Sequence, residues 1–243
     1  MKPVPCQQCP LRDRAAFRDG TPEQLAFIRG FRRGMRELEA GGTIVREASE
    51  GNTLFTLFSG WAFRYKTLSD GRRQILNFLL PGDLIGLQQE VWADASHGVE
   101  ALTAVQLCVF ERDQLWTLYR EQPELGYDIT WIAAHEEGLV DDNLLSVGRR
   151  SGIERVAMLL IHLYKRALSL GIGREGAVPL PITQQHVADA LGLSLVHTHR
   201  CLRELARRGM YRIENGQLLV AQPEALARLA DYLSQPLRSR PLL

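Results

Sequence analysis

No run of apolar residues in this 243-residue chain approaches the roughly 18 that a membrane span requires. Its opening stretch, MKPVPCQQCPLRDRAAF, has no apolar core of the kind that marks a secretory leader. The expectation is a cytoplasmic protein with no membrane partner. Cysteine is scarce, at four residues, and in a reducing compartment these are free thiols or metal ligands rather than disulfides. A net charge of +1 gives no global excess of cations, so any affinity for nucleic acid must come from local clustering. An HExxH pair, a phosphate-binding glycine loop, a nucleophile beside a base and paired carboxylates are all missing, which argues against an enzyme. What remains is an ordinary composition, 45% hydrophobic and 23% charged, long enough for two modest domains.

From about Met35 to Phe110 the punctuation is regular. Gly42, Gly51, Gly60, Gly71 and Gly82 follow one another at nine to eleven residues, several in turn pairs such as Ser59-Gly60, Asp70-Gly71 and Pro81-Gly82. The intervening stretches, Thr53–Phe58, Trp61–Thr67 and Gln74–Leu79, are rich in aromatic and branched residues. That spacing predicts an antiparallel β-roll of about eight strands. Beyond Phe110 the pattern turns helical, with a short helix at Asp113–Glu121 and a long one from Glu124 to Ser146. In the long helix Leu125, Ile132 and Leu139 recur at sevens, flanked by Ile129, Val140 and Leu144. Periodicity alone leaves open whether this stripe packs on its own domain or pairs with a second copy, because Glu136 and Asn143 interrupt it. A further helix is expected at Gly152–Leu170. Gln235–Leu243 reads as a loose tail.

The segment LPITQQHVADALGLSLVHTHRCLRELARRGM carries the most specific signal. Thr183 suits the N-cap of a helix over Gln184–Leu191, Gly192 permits a left-handed turn, and Ser194 caps a second helix, Leu195–Arg208. Val187, Leu191, Leu193, Thr198, Leu202 and Leu205 supply a shared core, giving a helix-turn-helix. The second helix would enter the major groove with Leu195, Val196, His197, His199 and Arg200 towards base edges. Arg200 would read guanine, and Arg203 would reach phosphate with Gln184 and Gln185. Thr183 and Ser194 complete the expected DNA-contacting set. Between Arg200 and Arg212 five arginines face one acid, Glu204. Tyr211–Ile213 and Gln217–Val220 flank Asn215-Gly216, a hairpin signal, and supply a wing.

On these residues the chain resembles the Crp/Fnr family of transcription regulators over nearly its full length, in its Fnr/FixK-like rather than its cyclic-AMP branch. PGDLIGL at Pro81–Leu87 resembles the family's β-roll element, and GLSLVHTHRCLREL at Gly192–Leu205 its recognition helix. The resemblance implies an α+β chain with three parts. Residues 1–120 would be a sensory β-roll, cupin-like and cyclic-nucleotide-binding-like; residues 121–150 a long dimerisation helix; and residues 151–243 a winged helix-turn-helix. It further implies a homodimer on a palindromic site in double-stranded DNA, acting as an activator through RNA polymerase. Family members that read the common half-sites have a glutamate where Val196 stands and glycine or serine where His199 stands. A different half-site, still with a guanine for Arg200, is therefore expected.

The signal is less legible. Cyclic-nucleotide members hold the phosphate with an arginine that follows the glycine element, whereas no arginine lies between Arg73 and Arg112 here, so cyclic AMP is not expected. Arg72 or Arg73 could substitute only from the neighbouring hairpin. Cys6, Cys9 and Cys108 resemble three ligands of the oxygen-sensing branch's iron–sulfur cluster, giving an oxygen or redox response as one expectation. Phe17 stands where that branch has another thiolate, with Asp13 a conceivable replacement. The plainer reading makes Cys6 and Cys9 ordinary terminal residues, Cys108 a core thiol and Cys201 a packing residue. His97, His135, His162 and His186 read as surface or packing residues. Two other functions stay open at this stage: an effector-binding β-roll whose helix-turn-helix docks protein, and a cyclic-nucleotide-responsive regulator.

Overall fold

A computed structural model describes residues 4–90, 94–232 and 239–243. A 3-10 turn at Cys6–Gln8 leads to α1 (Pro22–Phe31), whose Thr21 and Gln24 cap each other reciprocally. Eight strands follow: β1 (Arg32–Leu38), β2 (Thr43–Val45), β3 (Thr53–Ser59), β4 (Ala62–Thr67), β5 (Arg73–Leu79), β6 (Leu84–Ile85), β7 (Gly98–Ala101) and β8 (Val105–Glu111). They form two four-stranded sheets, ordered β1-β8-β3-β6 and β2-β7-β4-β5. This is the expected β-roll. Strand β8 pairs with β1 and β3 in antiparallel register, setting Cys108 opposite both Met35 and Thr56. Leu57, Leu79, Ile85, Val99 and Leu107 fill the space between the sheets. Gly82 has φ +91, and a Cβ there would strike the Phe17 ring, so the turn admits only glycine.

The chain then becomes helical in α2 (Leu115–Glu121) and α3 (Pro123–Arg149). Two compact units result: residues 1–66, 78–139 and 238–243 form one, and residues 67–77 with 140–237 form the other. Residues 123–139 of α3 fall in the first unit and residues 140–149 in the second. Its stripe is used unevenly. Leu125 and Ile129 are buried with Phe31, Leu54, Phe110 and Leu118 in the first unit's own core, and Ile132 packs against it. Val140 and Leu144 are exposed, together with Leu145 and Val147. An ion pair between Arg64 on β4 and Glu136, 2.8 Å apart and largely buried, ties the β-roll to α3.

The loose tail is the expectation that fails. Residues 241–243 are buried in the first unit, with Leu242 at 6% and Leu243 at 7% exposure. Burying two leucines contributes about 1.5–3 kcal/mol each, enough to fix so short a segment. Residues 235–238 of the expected tail lie outside the described residues.

In the second unit α4 (Gly152–Ser169) turns Val156, Leu160, Ile161 and Leu163 inward, while Leu159 is half-buried. It is followed by β9 (Ala177–Pro179), α5 (Gln184–Leu191), α6 (Leu195–Arg207), β10 (Tyr211–Glu214), β11 (Gln217–Val220) and α7 (Pro223–Leu229). Strand β9 pairs with β11, so the wing is a three-stranded sheet rather than the expected hairpin alone. Among the described residues no helix is long and apolar enough to cross a membrane.

Candidate nucleic-acid interface

The helix-turn-helix is built by local chemistry that the residues announce. Thr183 Oγ1 accepts from the His186 amide, and the His186 ring returns the bond by accepting from the Thr183 amide at 3.1 Å. His186 is therefore a capping residue. Burial holds its ring below the usual imidazole range and keeps it the acceptor that the cap needs. Helix α5 ends at Gly192, whose φ of +62 is the left-handed stop. Arg155 donates to the Leu191 carbonyl at 3.1 Å, fixing the turn from α4. Ser194 then caps α6 through the His197 amide.

Helix α6 has two distinct faces. Thr198, Cys201, Leu202 and Leu205 are buried, and Tyr211 of the wing donates to the Leu202 carbonyl at 3.1 Å. Leu195, Val196, His199, Arg200 and Arg203 are exposed, Val196 at 72%. Spacings of four and three place Val196, Arg200 and Arg203 along one line of the outer surface. Arg207 and Arg208 are both held by Glu204, at 2.9 and 2.8 Å, which fixes the cations at the end of the helix. Their hydrogen bonds hold the Glu204 carboxyl below its usual range. No ion pair engages Arg200 or Arg203 among the described residues, so their positive charge is available.

Three of the expected contact residues have partners that the sequence did not disclose. His199 Nδ1 lies 3.2 Å from Gln184 Oε1, bridging the two helices at the exposed face. Gln185 donates to Asp189 at 2.6 Å. The His197 ring lies against Gly152 at the start of α4, where any Cβ would collide with it. The hairpin tip belongs to this unit too: Arg73 pairs with Asp189 at 3.4 Å and Gln74 donates to the Ala190 carbonyl at 3.0 Å. Sequence spacing gives no hint of a contact more than a hundred residues apart.

The three candidate metal ligands also come together, in the other unit. Cys6, Cys9 and Cys108 line one cavity with Arg12, Leu242 and Leu243. Burial raises the Cys6 thiol, and Cys108 is pushed up to about 11, so both are protonated at neutral pH. Phe17 is buried beneath the Arg240 guanidinium, and Asp13 is exposed outside the cavity lining. Among the described residues no group of three or more histidine, cysteine or acidic side chains is arranged to hold a metal. Three thiols with no further histidine or acidic side chain in the cavity lining, among the described residues, fall one ligand short of the four that an iron–sulfur cubane takes.

A β-roll joined to a winged helix-turn-helix with an exposed arginine line defines a DNA-binding transcription regulator. Residues 35–122 match the cyclic nucleotide-binding domain and residues 154–229 the Crp-like helix-turn-helix domain. Over 225 residues the chain is 30% identical to the nitrogen fixation regulation protein FixK of Bradyrhizobium diazoefficiens, covering 93% of each. It is 29% identical to the transcriptional activator protein FnrL of Cereibacter sphaeroides over 213 residues, 86% of this chain and 84% of that one. The solved structure of FixK2 from Bradyrhizobium japonicum superposes with a TM-score of 0.74 at 26% identity, covering 83% of this chain and 98% of that one. The chain belongs to the Crp/Fnr family. That its relatives are transcription regulators speaks against an enzymatic role.

Proposed function

We propose that the protein is a homodimeric, cytoplasmic transcription activator that reads a palindromic site through α6, with Arg200 on a guanine of each half-site. The observation that carries this reading is the exposed line of Arg200 and Arg203 beside Val196, with no ion-pair partner among the described residues. A guanidinium fork matches guanine O6 and N7, and a valine can meet a thymine methyl but cannot accept from cytosine N4. Thr183, Gln184 and Ser194 lie at exposed helix starts, where amides and side chains meet phosphate. Gln185 and His197 are placed at the edge of that surface, and Arg203 a turn beyond the bases. Exposed Val140, Leu144 and Val147, at spacings of four and three, supply the apolar edge along which a second copy of α3 would pair. RNA polymerase is the partner expected of an activator, the role that the name FnrL carries.

Gel-shift titrations against duplexes of random and selected sequence, across a salt series, test the reading. Affinity must fall steeply as salt rises, with a selected consensus that is two-fold symmetric. Affinity insensitive to salt would instead support the helix-turn-helix as a protein-docking element. Selection with Val196→Glu should shift the consensus beside the conserved guanine.

For the signal, we propose that neither cyclic AMP nor an iron–sulfur cluster commands this chain. The two hairpin arginines that could have met a cyclic phosphate are engaged, Arg72 with Asp70 and Arg73 with Asp189. Among the described residues the thiol cavity offers no fourth ligand. An oxygen or redox response then rests on the three clustered thiols themselves. A colourless, anaerobically purified protein that binds DNA is the expected outcome. An absorption band near about 400 nm that bleaches in air would restore the cluster.

A further inference from the structure

The segment that follows residue 238 is bound as a ligand is bound. Its backbone pairs with the N-terminal arm: the Arg240 amide donates to the Ala16 carbonyl at 2.8 Å, and the Arg18 amide donates to the Arg240 carbonyl at 2.9 Å. The Arg240 guanidinium reaches past Phe17 to Asp83, which is 1% exposed at its side chain, and donates to the Pro81 carbonyl at 3.1 Å. The same guanidinium stacks over the Phe17 ring at 4.9 Å. Arg12 donates to the Leu242 carbonyl at 3.0 Å, and the hydroxyl of Thr56, itself 2% exposed, donates to the Leu243 carbonyl at 2.9 Å. Leu242 and Leu243 then close the cavity lined by Cys6, Cys9 and Cys108, with Leu243 in the same apolar cluster as Cys6 and Cys108.

Each of these groups recognises a feature of a peptide. A buried carboxylate selects a cation, two donors fix successive carbonyls, and an apolar pocket selects two branched side chains. We propose that the thiol-lined cavity is a peptide-binding site of the β-roll unit, specific for an Arg-x-Leu-Leu segment, and that residues 239–243 of this chain are its ligand. Leu242 and Leu243 line the cavity together with the three thiols, so a bulky group attached to those thiols and the seated segment crowd one another, each weakening the other to the same degree. The site that resembles a cluster pocket is here one that the chain closes upon itself. The inference does not depend on the protein's binding DNA.

Alkylation by iodoacetamide, followed by mass spectrometry, measures it. In the native full chain Cys6, Cys9 and Cys108 should react slowly, and in a chain lacking residues 239–243 at least about tenfold faster, with buried Cys201 unchanged as internal control. Adding the synthetic peptide Ser-Arg-Pro-Leu-Leu should restore protection, and the same peptide with glutamate for arginine should not. If deletion unfolds the chain, Cys201 labelling rises as well, and the full-length variant Arg240→Gln decides. That variant should melt as a folded protein and still expose the three thiols several-fold. Equal labelling of folded Arg240→Gln and parent, or no protection by the peptide of a folded truncated chain, overturns the proposal.

Discussion

The outer face of α6 and the thiol-lined cavity both gather reactive side chains, yet they differ in how those side chains are satisfied. On α6, Val196, Arg200 and Arg203 are exposed, and the arginines have no ion-pair partner among the described residues. In the cavity Cys6 and Cys108 are buried, their thiols are held neutral, and Leu242 and Leu243 close the space. A site for an external partner leaves charge unspent at the surface, where water solvates it until the partner arrives. A site whose groups are already matched, as Asp83 is by Arg240, is serving the chain itself. The contrast separates two motifs that sequence resemblance treats alike.

The largest effect should come from breaking the matched site. Arg240→Ala leaves a buried carboxylate without its main cation, which typically costs about 3 kcal/mol or more. Chemical denaturation should show that loss in the β-roll unit, while salt-dependent DNA affinity per folded molecule stays as in the parent. A comparable loss that also abolished specific binding would erase the distinction between the two regions. Acid should sharpen it next. His97 is buried near Arg64 and Lys66, and burial first, then those cations, lowers its pKa from 6.5 to about 4. The unfolded chain takes up that proton as pH falls below about 6.5 while the folded chain does not until about pH 4. Stability is therefore present above pH 6.5 and lost progressively down to pH 4, by up to about 3 kcal/mol for this group. Denaturation midpoints against pH should flatten across that window in His97→Gln.

The reading face itself should be the next most sensitive. Arg200→Ala removes a bidentate base contact worth about 1–3 kcal/mol, roughly a 5- to 150-fold loss on the selected site, with unchanged melting because the side chain is exposed. Arg203→Ala should weaken binding evenly across sequences and reduce the salt slope by about one. Loss of melting temperature in either variant would move that arginine into the structural class occupied by Arg240.

The reading unit was legible because its determinants are local. Thr183, Gly192, Ser194 and the Asn215-Gly216 turn each act within four residues, and caps and turns have residue-specific chemistry. The β-roll was legible from its glycine spacing and the aromatic and branched stretches between. What escaped was either short or non-local. Helix α1 has a reciprocal cap, Thr21 with Gln24, that could have been read, and Pro22 at its first turn was a second signal. Strand β9 has three residues and no periodicity to detect. The docking of residues 239–243 depends on Asp83, Thr56 and Arg12, between 157 and 230 positions away, and a Pro-Arg composition reads as disorder unless that partner is known. The heptad stripe was legible but double in meaning. Leu125 and Ile129 serve their own core while Val140 and Leu144 stay exposed, and only burial separates the two uses.

The smallest expected effect tests the comparison from inside α6. Thr198 is fully buried beneath the reading face, and its hydroxyl has no hydrogen-bond partner among the described residues. A buried hydroxyl left unmatched forgoes its hydration without recompense, so an apolar replacement of the same shape is neutral or favourable. Thr198→Val keeps the branched outline at that position and should raise stability by up to about 1 kcal/mol, read as a higher denaturant midpoint at unchanged slope. DNA affinity and the selected consensus should not move, because the side chain faces inward while Val196 and Arg200 face out. A stabilised protein with an altered consensus would show that the inner packing of α6 tunes its outer face. The division between matched interior and unspent surface would then be a gradient within one helix.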